Sequence, residues 1–105
     1  MTFSIGVDSW NASEVRYRGF RLTATKRVAE EMERVCLSLT KCKDILIDGY
    51  DAPRKRGSAV EERWFDKGTK TYNVVVARTF NHFCNEELYV IIHVGMFTKH
   101  EGGNV

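Results

Sequence analysis

The sequence predicts an α+β fold in which N-terminal helices pack on a three- to four-stranded antiparallel β-meander. Three observations lead to this fold class. The chain has 105 residues, of which 43% are hydrophobic, and this is enough for one ordinary core. The first half contains one strongly amphipathic helical pattern. The second half contains three stretches rich in β-branched and aromatic residues, which turn signals separate.

Short elements are predicted before the amphipathic helix. Apolar residues alternate with small or polar ones over residues 3–7, which indicates a short strand. Asn11, followed three residues later by Glu14, has the form of a capping box. We therefore expect a brief helix to begin there, and Gly19 to interrupt it.

The clearest predicted element is an amphipathic helix over residues 25–39, which Thr23 or Thr25 can cap. Its apolar face is formed by residues at helical spacing, namely Val28, Met32, Val35, Cys36 and Leu39. Residues 45–47 form a short apolar run that fits either a helical turn or a strand. Residues 50–58 have the composition of a loop.

The meander is predicted from residues 60–65, 71–78 and 88–94, with a turn at 66–68. The last strand is the most strongly apolar. Its predicted core face, against the helix, carries Leu88, Val90, Ile92 and Val94. The other face, either partly exposed or lining a groove, carries Tyr89, Ile91 and His93.

Several functional classes find no support in the sequence. No apolar stretch approaches the ~20 residues that span a bilayer, and the N-terminus lacks the basic and apolar regions of a secretory signal. The three cysteines have no metal or redox spacing, which favours reduced thiols. We therefore expect a cytoplasmic protein with one domain over residues 1–105, a frayed tail at 101–105, no cofactor, no metal and no membrane partner.

Basic residues are clustered although the formal net charge is only +2. Residues 16–27 include five basic side chains and no acidic one, and a second cluster follows Pro53. The pattern fits either a positive face that binds nucleic acid or an ordinary solvated surface. The candidate nucleic-acid-binding residues are Arg16, Arg18, Arg21, Arg54, Lys55, Arg56, Arg63 and Tyr89.

The candidate catalytic residues are Arg78, His93 and Lys99. Cleaving an RNA backbone without a metal requires a base for the 2′-hydroxyl proton and cations for the charge that builds on phosphorus. Histidine titrates near neutrality, and arginine binds two phosphate oxygens at once. Trp64 and Phe97 could stack on unpaired bases together with Tyr89. The alternative for His93 is a half-buried strand histidine that a neighbouring residue satisfies.

The order of elements resembles the RelE-type branch of the barnase/EndoU/colicin/RelE superfamily. The resemblance covers about residues 10–101 and rests on an amphipathic helix, a variable loop and a meander that ends in residues 90–95. It implies a small ribonuclease with a basic residue after the last strand, a position that Lys99 matches, and with a strand-end arginine near Arg78. The basic residue comes late, because residues 96–98 intervene. His93 has no firm counterpart in the family.

Three hypotheses follow. The first is a metal-independent ribonuclease of RelE type, toxin-like, which cleaves single-stranded or ribosome-bound RNA and is neutralised by an antitoxin or another protein partner. The second is a non-catalytic module that binds RNA or protein, such as a small phage or viral inhibitor. The third is an interaction subunit with no role in nucleic-acid binding.

Overall fold

The computed structural model describes residues 14–54, 56–83 and 85–98. These residues form two helices and six strands: β1 Arg16–Tyr17, β2 Phe20–Ala24, α1 Lys26–Arg34, α2 Leu39–Asp48, β3 Tyr50–Asp51, β4 Val60–Lys67, β5 Lys70–Asn81 and β6 Glu86–Thr98. Neither of these helices has the length and apolar character that crossing a membrane requires.

The strands form one mixed sheet in the order β1-β2-β6-β5-β4-β3. Strands β4, β5 and β6 pair as an antiparallel meander, whereas β2 pairs with β6 in parallel. The predicted fold class is therefore wrong in three respects. Two strands precede the helices, the sheet is mixed rather than antiparallel, and it has six strands rather than three or four. After β2 the chain passes through α1 and α2 and then forms β3, β4 and β5. The last strand, β6, can therefore pair with β5 on one side and with β2 on the other.

A β-hairpin occupies residues for which a brief helix was predicted. Arg18 and Gly19 form its turn with φ angles of 55° and 85°, the left-handed conformation that two-residue hairpin turns require. The alternation of Phe20, Leu22 and Ala24 with Arg21 and Thr23 was a strand signal that the prediction missed. Residues 3–13, which carry the other N-terminal predictions, lie outside the described residues.

The predicted helix over residues 25–39 is too long, because α1 ends at Arg34 and Leu39 already begins α2. Thr25, one of the two predicted caps, does cap α1; Val35 is the C-cap, and Cys36 adopts a φ of 59°. The Leu37 amide then donates to the Met32 carbonyl, which is a Schellman motif with cysteine where glycine is usual. Ser38 starts α2 by accepting a hydrogen bond from the Lys41 amide.

A β-bulge changes which residues of β6 face the core. Val75 pairs with His93 and Val76 pairs with Ile91, so Ile92 is the extra residue. The prediction that Leu88, Val90, Ile92 and Val94 form the core face against the helices is therefore wrong for the first three residues and right for Val94. The residues of β6 that join the core cluster are Tyr89, Ile91 and Val94.

The sheet has two faces with different surroundings. Val28 and Met32 of α1 and Ile45 and Leu46 of α2 pack on one face, which we call the helix-covered face. The opposite face, the helix-free face, carries neither α1 nor α2. Because directly paired residues point to the same side of a sheet, the register assigns every strand side chain to one of these faces.

Candidate functional site

Three rows of paired residues cross β4, β5 and β6 on the helix-free face. In strand order they are Glu62–Val75–His93, Trp64–Asn73–Gly95 and Asp66–Thr71–Phe97. Neighbouring strands lie about 4.8 Å apart, so the ends of one row are about 10 Å apart. The sheet therefore holds a histidine, two aromatic rings and a buried carboxylate on one surface.

His93 is held by a carboxylate from the first helix. Glu31 Oε1 lies 3.3 Å from His93 Nδ1 and also accepts the Val94 amide at 3.1 Å. The other oxygen, Oε2, lies 3.0 Å from Arg27 Nη1. The His93 side chain is 48% exposed, whereas that of Glu31 is only 15% exposed. The carboxylate favours the tautomer with the proton on Nδ1, which leaves Nε2 as the basic nitrogen.

Gly95, between His93 and Phe97, lets the Asn73 and His93 side chains pack closely over the backbone of β6. A Cβ atom at this position would lie 2.7 Å from Asn73 Oδ1 and 3.2 Å from His93 Nε2. These two side chains therefore occupy the space that a side chain at position 95 would need. Phe97 is two residues further along the strand and 41% exposed. This part of β6 thus has a base on one side of Gly95 and an aromatic ring on the other.

Glu62 anchors the loop between β3 and β4 to this face. Its side chain is 1% exposed and accepts two hydrogen bonds from Arg54 and one from Arg56, at 2.9–3.0 Å. Trp64 Nε1 and Asn73 Nδ2 donate to the same carboxylate at 2.8 and 3.2 Å. Burial raises the pKa of this carboxyl, but these hydrogen bonds outweigh it and lower the pKa from 4.5 to about 2.

The aromatic side chains of this face form a short strip. Trp64 contacts Phe97 and Tyr50 edge to face, with ring centroids 5.0 and 6.3 Å apart. The strip lies beside Arg54 and Arg56, whose side chains are 60% and 38% exposed. The carboxylates of Glu62 and of Asp66, which accepts from the Tyr50 hydroxyl at 3.0 Å, balance these two guanidinium groups in charge. Exposed rings next to cations are the usual features of a surface that binds single-stranded nucleic acid.

The structure separates the predicted catalytic residues. Arg78 pairs with Tyr89 and belongs to the helix-covered face, whereas His93 pairs with Val75 and belongs to the helix-free face. His93 lies opposite Val75, so it and Arg78 are three residues, or about 10 Å, apart along β5. Lys99 lies outside the described residues.

The predicted nucleic-acid-binding residues are also divided. Arg54 and Arg56 lie on the helix-free face, but the others described are engaged elsewhere. Arg16 pairs with Glu14, Arg18 with Glu61, Arg21 with Glu86 and Arg63 with Asp51. Tyr89 is 4% exposed and packs against Tyr17 and Phe20. Lys55 lies outside the described residues.

Three residues of this site were missed from the sequence: Glu31, Glu62 and Asn73. In the sequence, Glu31 and Glu62 look like ordinary surface charges, because the periodicity of helices and strands does not distinguish them from other polar residues. Asn73 did carry a weak signal. It is a polar residue at the start of a β-branched run, where a buried polar side chain usually has a specific hydrogen-bond partner.

Across residues 14–54, 56–83 and 85–98, no group of three or more His, Cys, Asp or Glu side chains is placed to hold a metal ion. Comparisons of the chain with protein-family models, curated protein sequences and solved structures find no match.

Proposed function

We propose that the protein is a metal-independent ribonuclease of RelE-like type that acts on single-stranded RNA at its helix-free face. The observation that carries the proposal is the pair formed by Glu31 and His93, with 3.3 Å between carboxylate and Nδ1. A histidine held in this way presents Nε2 as a general base, and here Nε2 lies close to the backbone of Gly95.

In the proposed reaction, His93 Nε2 takes the proton of a ribose 2′-hydroxyl, and the 2′-oxygen forms a bond to the adjacent phosphorus. The bond from phosphorus to the 5′-oxygen breaks, and the leaving oxygen takes a proton from water. The products are a 2′,3′-cyclic phosphate and a 5′-hydroxyl. Arg27, beside Glu31, and Arg56, on the other side of the row, supply cations for the phosphate charge.

The same face supports binding of unpaired nucleotides. Phe97 and Trp64 provide ring surfaces on which bases can stack. Bases in a duplex are already stacked and paired, so we expect single-stranded RNA to be the substrate. Arg54 and Arg56 would contact the backbone phosphates that flank these bases.

The activity is the one that the resemblance to RelE-type ribonucleases implies. The residues differ, however. The helix-free site uses His93, which has no firm family counterpart, and it does not use Arg78, which is on the other face.

A second candidate function is RNA binding without cleavage. It is favoured by Glu62, which holds Arg54 and Arg56 in fixed positions beside the aromatic strip. A preorganised surface of rings and cations binds an unpaired strand without any proton transfer. In that case His93 would contact RNA or only close the sheet edge.

The decisive experiment is incubation of the protein with labelled single-stranded RNA in EDTA. We expect cleavage that ends in a 2′,3′-cyclic phosphate, and its loss in His93→Ala with the fold retained by circular dichroism. His82→Ala is the matched control, because His82 is exposed and lies outside this face. Cleavage that survives in His93→Ala would contradict the proposed site, and no cleavage by the parent protein would contradict the activity.

Binding is measured separately with the same RNA. Phe97→Ala should weaken binding by about 1–3 kcal/mol, the usual cost of losing one stacked base. Phe83→Ala is the control, because Phe83 is fully exposed in the turn between β5 and β6. Binding that is weakened by Phe97→Ala without any cleavage would favour the second candidate. Equal binding of RNA by the two variants would mean that the aromatic strip takes part in neither candidate function.

A further inference from the structure

A separate cleft lies on the helix-covered face, where the helices leave the ends of β5 and β6 open. Its volume is about 490 Å³. The hairpin turn supplies Arg18, β4 supplies Glu61, and the ends of β5 and β6 supply Arg78, Phe80 and Glu87. None of these residues belongs to the site on the helix-free face.

The two arginines of the cleft are held against aromatic rings. The Arg18 guanidinium lies 5.0 Å from the centroid of Tyr17, and that of Arg78 lies 5.4 Å from the centroid of Phe20. Both rings pack against Tyr89. A cation over a ring is attracted to the ring face, and arginine has five N–H donors, more than one carboxylate contact uses.

Each arginine is also paired with a carboxylate. Arg18 contacts Glu61, and Arg78 Nη2 lies 3.1 Å from Glu87 Oε1. The Tyr17 hydroxyl donates to Glu61 at 3.0 Å. Burial and this carboxylate raise the pKa of Tyr17 to about 12, so the hydroxyl stays protonated and continues to donate. The carboxylate oxygens keep further lone pairs that can accept hydrogen bonds from a ligand.

These pairs decide the kind of ligand that fits. Two guanidinium groups and two carboxylates balance in charge, so a bare phosphate would be repelled about as strongly as it is attracted. The cleft instead suits a neutral, flat group that accepts hydrogen bonds from arginine and donates hydrogen bonds to carboxylate. Phe80, 42% exposed at the wall, offers an apolar surface for the face of such a ring.

We propose that this cleft binds a guanine base. Guanine presents O6 and N7 as acceptors, the pair that an arginine fork contacts most often, and its N2 amino group is a donor. Arg78 or Arg18 would contact the acceptor edge, and Glu61 or Glu87 would accept from the donor edge. Adenine replaces the O6 acceptor with an amino donor, which would face the guanidinium groups. The cleft should therefore discriminate guanine from adenine.

The proposal rests on contacts of the helix-covered face alone. It holds whether or not the helix-free face cleaves RNA, and the base can belong to a free nucleotide or to an unpaired position of a strand.

The test is a titration of the protein with guanosine 5′-monophosphate, in which binding is measured by calorimetry and by changes in amide chemical shifts. We expect shifts at Arg18, Glu61 and Arg78, and binding at least tenfold tighter than that of adenosine 5′-monophosphate. Inorganic phosphate should not displace the nucleotide. Glu61→Gln should remove most of the preference for guanine, whereas Glu14→Gln, which alters an ion pair with Arg16 outside the cleft, should not.

Equal binding of the two nucleotides, displacement by phosphate, or equal effects of the two glutamate variants would overturn the proposal, and so would the absence of any binding. A trinucleotide with a central guanosine, compared with the mononucleotide, distinguishes the two sources of the base. RNA cleavage in EDTA is measured in a separate experiment. A failure of guanine binding would therefore not contradict the ribonuclease proposal, which only the cleavage result tests.

Discussion

Glu31 and His93 are 62 positions apart in the chain, yet the carboxylate of the first lies 3.3 Å from Nδ1 of the second. The contact exists because β2 ends at Ala24, opposite Ile91, and leaves the following part of β6 without a strand partner on that side. Helix α1 fills this position, and Glu31 accepts the Val94 amide that an edge strand would otherwise expose. The same carboxylate orients the histidine.

Replacing Glu31 with glutamine tests this orientation. The amide is similar in size, but it removes the charge that favours the proton on Nδ1. We expect RNA cleavage to fall about 10–100-fold, the usual cost of losing the group that fixes the tautomer and ring orientation of a functional histidine. Initial rates of the parent and the variant at pH 7 measure this effect. An unchanged rate would mean that Glu31 only caps the sheet edge.

Gly95→Ala should displace the proposed base. The new Cβ would press on Asn73 Oδ1 and on His93 Nε2, so those side chains must move. We expect a loss of stability of about 1–3 kcal/mol and a larger loss of cleavage than of fold. Gly57→Ala is the control, because nothing lies within 4 Å of a Cβ there. If Gly95→Ala left cleavage unchanged in a folded protein, the position of His93 over Gly95 would not matter for catalysis.

The protein should lose stability at acid pH through Glu62. Its pKa in the folded state is about 2, below the ordinary value of 4.5, so the unfolded state binds a proton first as the pH falls. The contribution is complete above about pH 5 and is lost progressively down to about pH 2. Urea unfolding of the parent and of Glu62→Gln, measured at pH 7, 4 and 3, checks this. The free energy of unfolding should depend less on pH in Glu62→Gln than in the parent. An equal dependence in both proteins would contradict the role given to Glu62.

Cys36→Gly should stabilise the protein. Cysteine occupies a left-handed position with a φ of 59° at the end of α1, where glycine has no steric penalty. We expect a gain of about 0.5–1 kcal/mol and a rise in Tm of a few degrees. Cys36→Ala removes the thiol but keeps the penalty and should give no gain. Equal Tm values for the two variants would mean that strain at this position is negligible.

Much of the local structure could be predicted from the sequence. The Thr25 cap, the amphipathic character of α1 and the three strands of the meander follow from patterns within one element. His93 could be singled out as a histidine on the less apolar face of the last strand, and Trp64 and Phe97 as rings available for stacking. These inferences need only the periodicity of helices and strands.

The tertiary structure decided the rest, because it depends on pairings between distant residues. The parallel contact of β2 with β6, the bulge at Ile92 and the capture of His93 by Glu31 leave no periodic mark in the sequence. A shift of one residue at the bulge exchanged the faces of the strand and separated Arg78 from His93. The sequence therefore determined which side chains could do chemistry, and the sheet register determined which of them meet.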